Sequence, residues 1–177
     1  MGLQDVPDNM QAIQVVEYNK PYELREVPVP KDLGPHDLLL KVAVGSYCHT
    51  DSMVQSGVFG SKTPCTASHE GSGTVVALGS DVKDFKEGDR VMAGILYHTC
   101  GTCTDCLGSE EYRHYCANKE GFVGVTMDGN WAEYVRVDSR WAAKLPDRVS
   151  FETAAPLACA GCTVWRGVTL PELKAGR

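Results

Sequence analysis

The chain has 177 residues, a formal net charge of −6, an apolar share of 43% and eight cysteines. Such a length suits one domain able to bury a core, and an acidic chain without a Lys/Arg run among aromatics argues against nucleic-acid binding. No apolar run approaches the roughly 18 residues of a membrane span, and the first residues lack the basic and apolar regions of a signal peptide, so a cytoplasmic protein with reduced thiols is expected.

Along the chain, alternation of apolar and polar residues predicts strands over residues 12–18, 22–29, 38–44, 73–78, 90–93 and 131–137. Lys20-Pro21, Val29-Pro30 and Gly34-Pro35 punctuate the first of them. Asp128-Gly129 between apolar flanks predicts a hairpin. A short helix should start at His49 or Thr50, with Thr50 and Asp51 able to cap it. Asp81 to Asp89 reads as a solvated, charge-rich turn. From Ser150 the composition turns Ala-rich and helical over residues 150–170. Ser150 is the expected N-cap, and Pro156 should break the run into two helices. Pro171 should mark a further break.

Cys100, Cys103 and Cys106 stand at C-x-x-C-x-x-C spacing, and Cys116 follows after nine residues. Two residues between thiols let both sulfurs reach one ion, and four thiolates close a tetrahedral site with no room for substrate. The lobe over residues 97–117 therefore reads as a structural zinc site. An iron–sulfur cluster is the alternative, but the usual Cys-Pro continuation is absent. His114 competes with Cys116 for the fourth position, and His98 reads as a surface residue. A second set is dispersed: Cys48-His49-Thr50-Asp51, then Ser68-His69-Glu70-Gly71, then Cys159-Ala160-Gly161. Two thiolates and one imidazole would leave one position open on zinc, the pattern of a catalytic site.

These motifs, with Glu87-Gly88-Asp89-Arg90-Val91, resemble the N-terminal, GroES-like portion of the zinc-dependent medium-chain alcohol dehydrogenases, nearest the fungal members. The resemblance runs from about Gln11 to the last residue. It implies a mainly β fold with short helices: a partly open β-barrel carrying the zinc lobe, a helical C-terminal segment and no doubly wound domain. It implies that Cys48, His69 and Cys159 hold a catalytic zinc, with Glu70 behind the metal as a transient ligand. Asp51 would orient His69, Thr50 would relay the alcohol proton, and His49 would approach the cofactor pyrophosphate. Phe59 and Tyr97 would line the substrate pocket. Two Zn²⁺ ions per chain are implied, with NAD or NADP only where a nucleotide-binding domain is supplied. The implied substrates are alcohols, aldehydes or ketones, and the implied partner is a homo-oligomer or the missing cofactor domain.

The chain departs from that family in three places. The interval from Cys106 to Cys116 is longer than usual, and the usual interval would put His114 on the ligand position. Ser56 stands where several relatives carry a relay histidine. No Gly-x-Gly-x-x-Gly turn occurs: Gly71-Ser72-Gly73 fails at Val76 and reads as strand. Cys65 and Cys162 read as packing thiols, and Trp131, Trp141 and Trp165 as core or interface aromatics. A stand-alone zinc module and a cofactor-free zinc enzyme remain the alternative functions.

Overall fold

A computed structural model of the chain describes residues 3–169. The expected break at Pro171 and the end of the helical segment at residue 170 lie outside these residues. Strand β1 (Asn9–Val15) buries Met10, Ala12 and Gln14 and exposes the residues between them, so a period of two is visible in the burial. It pairs antiparallel with β2 (Glu23–Pro28) on one side and β4 (Cys65–Thr66) on the other.

Strand β3 (Asp37–Gly45) lies inside a five-stranded sheet. The others are β5 (Gly71–Leu78), β6 (Arg90–Ala93), β9 (Tyr134–Asp138) and β10 (Ala143–Lys144), in the order β10-β6-β5-β3-β9. Its residues Leu38, Leu39 and Leu40 are all fully buried because both faces are covered. Leu38 and Leu40 join Val75, Val91, Val135 and Val137 in one core. Leu39 points the other way, into a core with Met10, Val29, Val76 and Tyr134. Residues 131–133 tie the two sheets together: Ile13 N–H donates to Trp131 O at 2.7 Å and Val42 N–H to Glu133 O at 2.9 Å. A small ribbon of β7 (Leu96–Tyr97) and β8 (Gly121–Phe122) carries the cysteine lobe between its strands.

Helix α1 (His49–Gln55) begins where expected, but its N-cap is Cys48. Asp51 serves from inside the helix, accepting the Cys48 N–H at 2.8 Å. The lobe holds α2 (Thr104–Leu107) and a 3-10 turn at Glu110–Tyr115. After Ser150, whose hydroxyl accepts the Thr153 N–H, come α3 (Phe151–Ala154), a 3-10 turn at Ala155–Ala158 and α4 (Ala160–Thr169). Pro156 sits in the 3-10 turn, so the predicted break holds. Ala154, Ala155 and Ala158 are buried, and the segment lies against β5 and β6.

The fold is mainly β with short helices, and Gly71-Ser72-Gly73 lies within β5. The predicted hairpin at Asp128-Gly129 does not form. Asp128 instead accepts the Thr66 N–H at 2.7 Å, and Gly129 N–H donates to Thr66 O. The turn residues satisfy a distant strand rather than closing a local one. The strand predicted over 131–137 starts only at Tyr134, because residues 131–132 bridge to β1 instead. Among the described residues no helix is long and apolar enough to cross a membrane.

Candidate metal centres

The lobe gathers four thiols within a short loop. Gly101, at φ +72°, turns the chain after Cys100, and Cys103 precedes α2 so that Cys106 falls on that helix. Cys116 then closes the group. The sulfurs of Cys100, Cys103, Cys106 and Cys116 all lie within 4.8 Å of one another. His114 is exposed and tilts over Tyr115, so Cys116 occupies the fourth position. N–H and hydroxyl donors from Thr102, with the Cys103 amide, hold the Cys100 thiol down at about 5. Burial pushes the Cys106 thiol up to about 12. A borderline-soft cation such as zinc suits such a sulfur set.

The root of the lobe differs from expectation. His98 is no loose surface residue: at φ +48° its Nε2 lies 2.8 Å from Asp37 Oδ1 and its Nδ1 3.0 Å from Glu120 Oε2. Its backbone N–H donates to Asp138. Tyr97 faces inward. It is buried in the main core, and its hydroxyl donates to Asp37 at 2.9 Å. Burial and the Asp37 carboxylate raise that phenol's pKa. An aromatic beside a cysteine lobe carries no signal of which face it takes.

The second group assembles from three distant junctions. Cys48 lies between β3 and α1, His69 and Glu70 between β4 and β5, and Cys159 between the 3-10 turn and α4. One ligand atom from each of Cys48, His69, Glu70 and Cys159 lies within 4.8 Å of the others. The His69 ring is fully buried, and neither of its nitrogens has a hydrogen-bond partner. Its Nδ1 lies 3.4 Å from Asp51 Oδ1, an ion-pair distance without hydrogen-bond alignment. A buried polar atom left unmade costs about 1–3 kcal/mol, and a cation held between imidazole and thiolates removes that cost. The residues therefore fit a metal ion.

Electrostatics at this group pull its members apart. Burial disfavours a charged His69, but Asp51 and Cys48 outweigh it, and its pKa is raised. Burial also works against the Cys48 thiolate, yet the Thr50 amide and hydroxyl and His69 lower its pKa overall. Burial and the charges of Cys48 and Glu70 push Cys159 up to about 11.

Two residues to which the sequence assigned no role support His69. Ser68 adopts φ +72° and is fully buried. Its N–H donates to Asp51 Oδ1 at 3.1 Å, and its hydroxyl reaches Ser46 O and Glu70 O. Its carbonyl accepts both the Asn130 N–H at 2.7 Å and Asn130 Nδ2 at 3.0 Å. Ser68 stands in the Ser68-His69-Glu70-Gly71 motif, but its contact with an asparagine far away in sequence leaves no local pattern.

The remaining candidates lie around the group. His49 is exposed on the first residue of α1, and Thr50 is half-buried with its hydroxyl 3.8 Å from Cys48 Sγ. Ser56 ends α1 and donates to Met53 O, and Phe59 is exposed. Cys65 is buried beside Val15, Val54 and Val125, a packing thiol. Cys162 is not: it is exposed at the edge of an apolar cavity of about 550 Å³ lined by Met92, Ile95, Leu96 and Trp141. Trp165 is 70% exposed.

Residues 34–147, which include Cys48, His69, Glu70 and the whole lobe, match the alcohol dehydrogenase GroES-like domain family. The chain belongs to that family. It is 38% identical over 169 residues to an alcohol dehydrogenase of Rhizobium meliloti, covering 94% of this chain and 48% of that one. Its structure is similar to the alcohol dehydrogenase of the archaeon Aeropyrum pernix (TM-score 0.80, 34% identity), covering 89% of this chain and 47% of that one. It is also similar to an NAD-dependent alcohol dehydrogenase (TM-score 0.81, 29% identity), covering 90% and 46% respectively. The chain thus spans about half the length of the curated relatives it matches.

Proposed function

We propose that this GroES-like domain is the zinc-binding catalytic portion of an alcohol dehydrogenase, which oxidises alcohols or reduces carbonyls with hydride passing to or from NAD or NADP. The observation that carries the reading is the fully buried His69 ring, with both nitrogens unpartnered, beside Cys48 and Cys159. Those three residues would hold the catalytic zinc, and the four lobe cysteines a structural one. Zinc when bound supplies Lewis acidity toward the substrate oxygen.

The chain's own residues would then divide the work. Asp51 orients the His69 ring while its other contacts fix Cys48 and Ser68. The Thr50 hydroxyl, beside Cys48, takes up the alcohol proton and passes it toward solvent. His49, exposed at the start of α1, would be free to approach a cofactor pyrophosphate. Val164, Trp165 and Val168 lie open on α4, the helix whose Cys162, Thr163 and Arg166 line the apolar cavity. Apolar surface of this kind marks a docking face, which supports a nucleotide-binding partner surface outside the described residues.

Cobalt substitution tests the reading. The chain should show two cobalt–thiolate sites, and His69→Ala should remove one while leaving the lobe intact. Cobalt confined to the lobe in the unaltered chain would end the proposal. A fluorescence titration of the zinc-loaded chain with NADH and NADPH completes it. Absence of binding at millimolar cofactor places the nucleotide surface elsewhere. Saturable binding shows that these residues, or a second copy, provide it.

A further inference from the structure

Glu70 is only 2% exposed, and its carboxylate joins three segments of the chain. Oε2 accepts the Ser46 hydroxyl at 2.6 Å, and Oε1 accepts the backbone N–H of Ala160 at 3.2 Å. Ser46 follows β3 directly, and its own N–H donates to Glu70 O at 2.9 Å. Ala160 is the first residue of α4 and the neighbour of Cys159. The first N–H groups of a helix have no partner inside it, and the aligned peptide dipoles favour a negative charge there.

The local sequence provides nothing to meet that need. Helix α1 has Asp51 in its first turn, whereas α4 opens on Ala160, Gly161 and Cys162. None of these carries a side-chain oxygen, and Cys159 before them does not either. The acceptor comes instead from the residue just before β5, next to His69 in the chain. The first intrahelical bond, Thr163 N–H to Cys159 O at 2.9 Å, begins immediately beyond this contact.

We infer that Glu70 is a positioning residue: its carboxylate caps α4 and so fixes the Cys159 thiol against Cys48 and His69. The inference rests on the metal-holding reading of this cluster and redefines what Glu70 adds to it. Both carboxylate oxygens are engaged by protein donors, so Glu70 acts as a bracket between the barrel and the helix. Through it, the third thiol is tied to the segment before β5 that carries the imidazole.

The test compares Glu70→Ala, Glu70→Gln and Glu70→Asp in the full chain. One readout is amide hydrogen exchange at Ala160 in the metal-free protein. The other is cobalt affinity of the dispersed site, followed by its thiolate absorption with the lobe as internal control. Loss of the cap in Glu70→Ala should speed Ala160 exchange about fivefold to tenfold and weaken cobalt at the dispersed site while sparing the lobe. Glu70→Gln keeps an oxygen at the same reach and should restore both readouts. Glu70→Asp keeps the charge but shortens the reach, and should behave like alanine. It also replaces the alanine variant should that one fail to fold. Unchanged Ala160 exchange in the alanine and aspartate variants would overturn the inference, as would a glutamine variant as impaired as alanine. If the unaltered chain takes no cobalt outside the lobe, the metal reading fails, and the exchange data still decide the cap.

Discussion

A methyl group added at Gly71 would lie 2.0 Å from Asn130 Oδ1 and 2.1 Å from its Cγ, far inside van der Waals contact. Asn130 cannot simply swing aside, because it is 2% exposed and its backbone N–H and Nδ2 both hold Ser68 O. Overpacking a tight core costs about 1–3 kcal/mol, and the fixed neighbour places Gly71→Ala at the top of that range. Displacing the amide also breaks the Nδ2 bond to Ser68, worth about 1 kcal/mol more. Urea unfolding should therefore show a loss of about 3–4 kcal/mol, with the m-value unchanged. Asn130→Ala alone should cost about 1–2 kcal/mol for the lost bond. In the double variant the two shortest contacts disappear while the Cβ of residue 130 stays 2.7 Å from the new methyl, so the combined loss should fall short of the sum by about 1 kcal/mol. The effect should also reach the metal site, since Ser68 sets the backbone entering His69. Additive losses would refute this account of why Gly71 stands opposite Asn130.

Three further outcomes follow from the same geometry. Metal analysis should find two zinc ions in the purified chain, one for each donor group. Cys116→Ser should lose the lobe ion and lower the melting temperature, while His114→Ala should keep both. Cys162 should react with iodoacetamide near neutral pH and Cys65 should not, since burial pushes the Cys65 thiol up to about 11. A raised thiol pKa keeps the thiolate scarce until the pH approaches it, so Cys65 labelling should climb only in strong alkali. Arg90 donates to Val149 O at 2.7 Å, reaches Pro146 O and Asp147 O, and lies 4.5 Å from the Phe151 ring centre. Arg90→Met should cost about 2 kcal/mol by urea unfolding. Arg90→Lys should recover only part of it, because an ammonium cannot span several carbonyls as the planar fork does.

Much of the frame was legible from local pattern. Alternation over residues 38–44 marked β3, an inner strand of the large sheet, and Pro156 marked the break between α3 and α4. Strands such as β4 and β10 were invisible, since two residues hold no period. The Asp128-Gly129 signal misled, because Asp128 is engaged by Thr66, a partner far away in sequence.

For the sites, the division follows distance along the chain. The spacing of Cys100, Cys103 and Cys106 was decisive by itself, because short loops bring neighbouring sulfurs together whatever the rest of the fold does. The choice of Cys116 over His114 needed the path of the 3-10 turn between them. The meeting of Cys48, His69 and Cys159, the left-handed Ser68 held by Asn130, and the Glu70 bridge to α4 were decided by tertiary structure alone. Each joins residues whose separation can be closed only by strand order and by the packing of the last helices onto β5 and β6. No local rule governs a contact of that kind, since it forms only once the sheets are in place.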